Sequence, residues 1–202
     1  MPAEPAEPFD GELPLFPLQA VLFPGGLLGL KVFEVRYLDL VTGCLRDRTP
    51  FGVVALRAEA PGFEAIGTLA ETIDADSERP GILQVRCRGA QRFRIESSRQ
   101  QADGLWLART RPLVADDPLA PAEALLGTVR ALATTIATLK SKKNEAPFLQ
   151  PYRFDDAGWV ANRWCEILPI PRAAKQKLME LTDPMVRLQL VDEFLRSKGV
   201  VT

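Results

Sequence analysis

The spacing of the apolar residues changes once along this chain of 202 residues, at about Asp116. Before this point, apolar residues alternate with polar ones or form short runs, which is typical of strands. After it, they recur every three or four residues, which is typical of amphipathic helices. The segment between the two patterns, Asp116–Glu123 (DDPLAPAE), is rich in proline and aspartate, as linkers are. The sequence therefore predicts an α+β chain in which a β-rich subdomain, 13–116, precedes a bundle of about four helices, 117–202.

The predicted strands are short apolar or alternating segments bounded by glycine and proline. A break is expected at Gly89-Ala90, and one helix, about Glu34–Arg46, interrupts the strands. The predicted strands are Leu13–Phe16, Leu27–Phe33, Phe51–Arg57, Ile66–Asp76, Gly81–Arg88, Gln91–Glu96 and Gly104–Val114.

Capping residues predict where the later helices begin and end. Asp155 or Asp156 can cap one helix, and Pro171 is expected at the first position of the next. Asp183-Pro184 has the pattern of an N-cap followed by proline at the first helical position. Gly199 is expected to end the helix that begins there.

Histidine is absent from the sequence, which excludes Ser-His-Asp and Cys-His catalysis and His-ligated metal sites. The segment that most resembles a phosphate-binding loop, Gly62–Thr68 (GFEAIGT), has threonine where that loop requires lysine. The paired carboxylates Asp116-Asp117 and Asp155-Asp156 lie at predicted helix starts, where acidic groups are favoured as caps. We therefore predict no enzymatic activity, no catalytic residue, no metal site and no cofactor.

The formal net charge of −1 gives no reason to expect nucleic acid or an anionic membrane as partner. No apolar run approaches the roughly 18 residues of a membrane helix. The three cysteines, Cys44, Cys87 and Cys165, are widely spaced among apolar neighbours, which predicts buried free thiols and a cytoplasmic protein. The acidic, proline-rich start, 1–12, predicts a short disordered tail.

Four arginines, Arg86, Arg88, Arg92 and Arg94, follow one another in RCRGAQRFR. In a strand, alternate residues share a face, so Arg86 with Arg88, and Arg92 with Arg94, are predicted to form a row of basic side chains, the arginine ladder. One interpretation is an RNA-binding or anion-binding patch. The favoured interpretation is a solvated face whose arginines form ion pairs with acidic residues across strands, because no exposed aromatic residues are interleaved for base stacking. The expected acidic partners are Glu71, Asp74, Glu96 or Asp103.

The turn within Val21–Leu30 (VLFPGGLLGL) is unusually apolar, since turn tips normally lie in water. Its apolar side chains are either covered by another element or form a contact surface. The candidate peptide-binding residues are Phe23, Pro24, Leu27 and Leu28.

Three parts of the chain resemble a known family. Glu12–Leu45 (ELPLFPLQAVLFPGGLLGLKVFEVRYLDLVTGCL) is similar to the opening of the Lon protease N-terminal, substrate-binding domain. The later segments FGVVAL, IGTLAETI and GAQRFRI resemble its strands. Asn162–Leu195 (NRWCEILPIPRAAKQKLMELTDPMVRLQLVDEFL) resembles its closing helices.

The resemblance implies a PUA-like twisted β-pseudobarrel followed by a helical bundle. It also implies a role in recognising unfolded or tagged polypeptides, and it supplies no catalytic residues. We expect a stand-alone bacterial member without ATPase or protease domains. The expected function is non-enzymatic binding of unfolded or apolar polypeptide, near Phe23–Leu28 and in the groove beside it. The expected partners are polypeptide clients or a partner protein, with RNA as the alternative.

Overall fold

The computed structural model describes residues 11–143 and 147–201. The chain forms two compact units, residues 1–114 and 115–202. Most of the tail predicted for residues 1–12 lies outside the described residues. Glu12 is described, and its carboxylate accepts a hydrogen bond of 2.9 Å from Nε of Arg99.

The first unit contains six strands and one helix among its described residues. The strands are β1 (Leu13–Leu18), β2 (Leu27–Val32), β3 (Phe51–Ala55), β4 (Ile66–Arg79), β5 (Ile82–Gln100) and β6 (Trp106–Pro112), and the helix is α1 (Val35–Asp47).

The six strands form one mixed sheet in the order β2-β5-β4-β3-β1-β6. A further pairing of β6 with β5 closes the five strands from β5 to β6 into a ring and leaves β2 outside it. Only the β1–β3 pair is parallel among these strands; the other pairs are antiparallel. The long strand β5 pairs with β2 through its first half and with β6 through its second half. Strand β2 pairs with β5 alone among the described strands, so one edge of β2 is open.

The break predicted at Gly89-Ala90 is wrong, because β5 continues through both residues. The glycine has a different role. A Cβ atom on Gly89 would lie well inside van der Waals contact of the backbone oxygen of Phe23. Glycine is therefore required because another segment of backbone packs directly against it.

That segment is the turn Phe23–Gly26, the FPGG of the sequence. The amide of Gly26 donates to the carbonyl of Phe23 (2.9 Å), Pro24 is the second residue of the turn, and Gly25 has a φ of 71°. These are the features of a type II turn. The amide of Gly25 donates to the carbonyl of Gly89 (2.7 Å), and the amide of Gly89 donates to the carbonyl of Gly26 (2.9 Å). Two residues of the turn thus oppose one residue of β5, as in a G1 bulge, and this fixes the register of β2.

Helix α1 covers one face of this sheet. Glu34 is its N-cap residue, and its buried side is formed by Tyr37, Leu40, Val41 and Cys44. The ring of Tyr37 stacks on that of Phe16 with centroids 4.0 Å apart. These residues belong to the main apolar cluster of the unit, which also contains Leu30 and Val32 of β2. The alternate residues of β2 therefore hold it against the core.

The second unit consists of helices. A short 3-10 helix, Glu123–Leu125, leads into α2 (Leu126–Lys143), which is followed by α3 (Ala157–Ile167), α4 (Arg172–Glu180) and α5 (Pro184–Ser197).

Two predicted caps of the second unit are confirmed. The Asp156 side chain accepts hydrogen bonds from the first amides of α3, and Asp183 does the same for α5, with Pro184 at its start.

The fully buried Arg187 of α5 donates to Asp116 (2.6 Å) and Asn162 (3.0 Å). Asp116 is therefore a partner of a buried cation rather than a helix cap.

Helix α3 carries a second buried charge. Arg163 is completely buried and donates to the carboxylate of Glu166 at 2.6 Å. Burial raises the pKa of Glu166 to about 7, and the charge of Arg163 opposes this rise only in part. The folded unit therefore binds a proton at Glu166 more tightly than the unfolded chain does.

We predict that Gly89→Ala destabilises the first unit by roughly 2–4 kcal/mol, because the new methyl group must displace the backbone of Phe23. Gly29→Ala is the matched control. No atom lies within 4 Å of its would-be Cβ, so its free energy of unfolding should change by less than about 0.5 kcal/mol. Urea titration of both variants checks this. Equal midpoints for the two variants would show that the contact at Gly89 has no energetic consequence.

We predict that Glu166 makes the second unit less stable as the pH rises. A carboxyl group whose pKa is higher in the folded state contributes stability below its unfolded pKa, 4.5, and loses it as the pH rises through about 7. Glu166→Gln removes this dependence because glutamine does not titrate. Urea unfolding at pH 4 and pH 8, followed by tryptophan fluorescence, should show that the wild type loses more stability than the variant. An equal loss in both proteins would contradict the prediction.

Candidate functional site

A groove of about 500 Å³ lies beside β2 in the first unit. Its walls come from β1, β2, the start of α1 and the start of β6, which the sheet topology brings together. The lining is mainly apolar and aromatic, as is typical of binding sites for apolar ligands. The apolar side chains that line it include Phe16, Leu18, Leu30, Val32, Tyr37 and Trp106.

Two large apolar side chains at this site lie in solvent. Phe33, which lines the groove, is 64% exposed, and Val35, two residues later, is 73% exposed. Phe33 lies in the short connection between β2 and α1, and Val35 is the first residue of α1. Exposed apolar side chains next to an apolar groove are typical of a surface that binds another molecule.

The charged groups of the groove are two cations and one acid. Arg36 forms an ion pair of 2.6 Å with Glu34, and its guanidinium group lies 4.9 Å from the centroid of the Tyr37 ring. Among the described residues, Nε of Arg36 is buried without a hydrogen-bond acceptor. Lys31 is exposed and has no ion-pair partner in the described part of the chain. The groove therefore favours a ligand that bears negative charge as well as apolar groups.

The structure changes the interpretation of the apolar turn. Phe23 is completely buried, so the prediction that it forms a contact surface is wrong. The reason is that the turn packs onto the sheet: besides the contact at Gly89, the hydroxyl of Thr68 donates to the carbonyl of Leu22 at 2.6 Å. The other three predicted residues of the turn, Pro24, Leu27 and Leu28, are half-buried.

The arginine ladder is interrupted. Arg92 is 3% exposed and donates to the carbonyl of Val114, so its prediction as part of a surface ladder is wrong. Its long side chain is covered, and it satisfies a backbone oxygen instead of facing solvent.

The other three arginines of the ladder, Arg86, Arg88 and Arg94, are exposed. The predicted pairing of Arg88 with Glu71 across strands is confirmed, at 2.6 Å. The carboxylate of Glu71 thus lies beside this part of the ladder.

Phe33 and Val35 were not among the predicted binding residues. Their signal was present, since two large apolar residues flank Glu34 where a strand gives way to a helix. The pattern alone could not tell that α1 leaves them in solvent.

Residues 12–197 match the family described as the ATP-dependent protease La (LON) substrate-binding domain. The chain belongs to this family. Over 95% of its length, it is 27% identical to the Lon protease of Anaeromyxobacter dehalogenans and spans 24% of that protein. Half of the chain is 35% identical to the protein cereblon of Xenopus tropicalis, of which it again covers 24%. The chain therefore spans about a quarter of the length of these relatives.

Solved structures support the same assignment. The crystal structure of a Lon N-terminal domain protein from Xanthomonas campestris is 35% identical, with a TM-score of 0.66, and covers 89% of this chain and 96% of that one. The N-terminal domain of the Mycobacterium avium complex Lon protease is 12% identical, with a TM-score of 0.63 over 90% of this chain and 96% of that one, and shows the fold alone. The α+β class and the family resemblance are confirmed.

None of the helices in residues 11–143 and 147–201 combines the length and the apolar character that crossing a membrane requires.

Proposed function

We propose that this protein is a non-enzymatic module that binds polypeptide segments with apolar side chains in the groove beside β2. The observation that supports this most directly is the apolar groove of about 500 Å³ with the exposed Phe33 at its edge. The family's description as a substrate-binding domain agrees with it. We further propose that the closed sheet is a PUA-like pseudobarrel and that the helices of the second unit form a bundle.

The expected affinity is modest. Burying a phenylalanine or leucine side chain contributes on the order of 1.5–3 kcal/mol, and two or three such contacts must offset the ordering of the bound segment. Weak binding that tolerates many sequences suits the recognition of unfolded chains.

The cysteines support a non-catalytic role and a reducing, cytoplasmic location. All three thiols are buried and free. Burial raises the pKa of Cys87 to about 11 and that of Cys165 to about 12, so neither is a ready nucleophile at neutral pH.

RNA binding is the weaker alternative. Arg92 is buried, and Arg88 is paired with Glu71, so two of the four arginines of the ladder are not available as an open basic face.

We predict that Phe33→Ser weakens peptide binding about tenfold without changing the melting temperature, because this side chain is mostly exposed in the free protein. The probe is a fluorescein-labelled peptide of about eight residues in which leucine alternates with threonine and one central threonine is replaced by aspartate. Fluorescence anisotropy gives Kd, and a thermal melt gives stability.

Two controls accompany this measurement. Val114→Ser removes an apolar side chain that is 85% exposed and does not line the groove, and binding should be unchanged. The double variant Arg86→Ala, Arg94→Ala tests whether the peptide binds at the exposed arginines of the ladder instead of in the groove. If this variant lost binding and Phe33→Ser did not, the groove would not be the site.

A further inference from the structure

The open edge of β2 is a row of backbone groups that end in solvent. Strand β2 has β5 as its sole partner among the described strands, and its residues 30–32 border the groove. Open strand edges can pair with an extended segment of another chain, and proteins normally protect them for this reason.

The turn determines which groups point outward. The amide of Gly89 donates to the carbonyl of Gly26, so these two residues bond to each other across the ladder. In an antiparallel ladder, hydrogen-bonded and non-hydrogen-bonded pairs alternate. The register runs from Leu27↔Arg88 to Val32↔Leu83 without a shift. Counting in steps of two from Gly26, residues 28, 30 and 32 bond to β5, whereas the amides and carbonyls of residues 27, 29 and 31 point to the open edge.

Gly29 lies at the centre of this edge, and nothing in the fold requires glycine there. Its φ lies outside the left-handed region, and no atom lies within 4 Å of its would-be Cβ. Glycine weakens a strand, and inside a strand it often marks the close approach of a ligand or of another backbone. No backbone packs against Gly29 from within the described residues, in contrast with Gly89.

Lys31 supplies a positive charge at the open edge of β2. It is exposed at the same edge and has no acidic partner among the described residues. A carboxylate on a neighbouring strand directly opposite Lys31 would form a favourable cross-strand pair. With Arg36 already paired to Glu34, Lys31 is the cation available for such an acid.

We propose that β2 binds its polypeptide ligand by strand addition. An extended segment of another protein pairs with the outward groups of residues 27, 29 and 31. Its apolar side chains at alternate positions face the groove, and an acidic residue lies opposite Lys31. This inference rests on the proposed function and specifies how the same site recognises its ligand.

Backbone N-methylation of the peptide tests the mode of binding. In an added strand, alternate amides donate to β2 and the intervening ones face away. N-methylation at the positions whose amides donate to β2 should therefore weaken binding about tenfold. N-methylation at the intervening positions should leave Kd within about twofold of that of the unmodified peptide. The probe is the leucine–threonine peptide described above, measured by anisotropy.

Variants of Lys31 test the same edge from the protein side. Lys31→Pro removes an outward amide but no bond to β5, and edge strands tolerate proline at such positions. It should fold and bind about tenfold more weakly than Lys31→Thr, which keeps the amide and loses only the charge. Lys31→Glu should prefer a peptide with lysine in place of the aspartate, reversing the preference of the wild type.

The outcomes separate the two proposals. If the unmodified peptide binds but N-methylation has the same effect at every position, strand addition is wrong and the groove still binds polypeptide. If the wild type binds no form of the peptide, both proposals fail. If sedimentation shows that the protein dimerises and that Lys31→Pro abolishes the dimer, the edge belongs to a second copy of this chain and the inference is overturned.

Discussion

The contact between the Phe23–Gly26 turn and Gly89 is the constraint on which the first unit depends. The turn approaches β5 so closely that only glycine fits opposite it. Two hydrogen bonds between the turn and Gly89 then allow one register for β2. That register places Leu30 and Val32 in the core and directs the backbone of the intervening residues outward. The groove and its open edge thus follow from a buried turn whose phenylalanine has no exposed surface.

Local signals in the sequence were sufficient to predict several features of the fold. Asp156 and Asp183 cap the helices that were predicted for them. Pro24 and Gly25 have the residue types that a type II turn requires, so the turn could be predicted as well. Each of these features depends on residues only a few positions apart.

The features that were mispredicted depend on contacts between distant residues. Phe23 is buried because Thr68 and Gly89, far along the chain, hold its turn against the sheet. Gly89 looked like a strand break because a glycine required by an approaching backbone resembles one required by a turn. Arg92 looked like a surface charge, yet it bonds to the carbonyl of Val114. The exposure of Phe33 and the pairing of β2 on one side only are likewise properties of the assembled sheet.

Amide hydrogen exchange along β2, measured by NMR with and without the leucine–threonine peptide, tests the central claim most directly. In the free protein, the amides of Leu28, Leu30 and Val32 should exchange slowly because they bond to β5, and those of Gly29 and Lys31 should exchange fast. Saturating peptide should slow exchange at Gly29 and Lys31 and change the other three little. Slow exchange at Gly29 and Lys31 in the free protein, or fast exchange there in the saturated complex, would contradict the account.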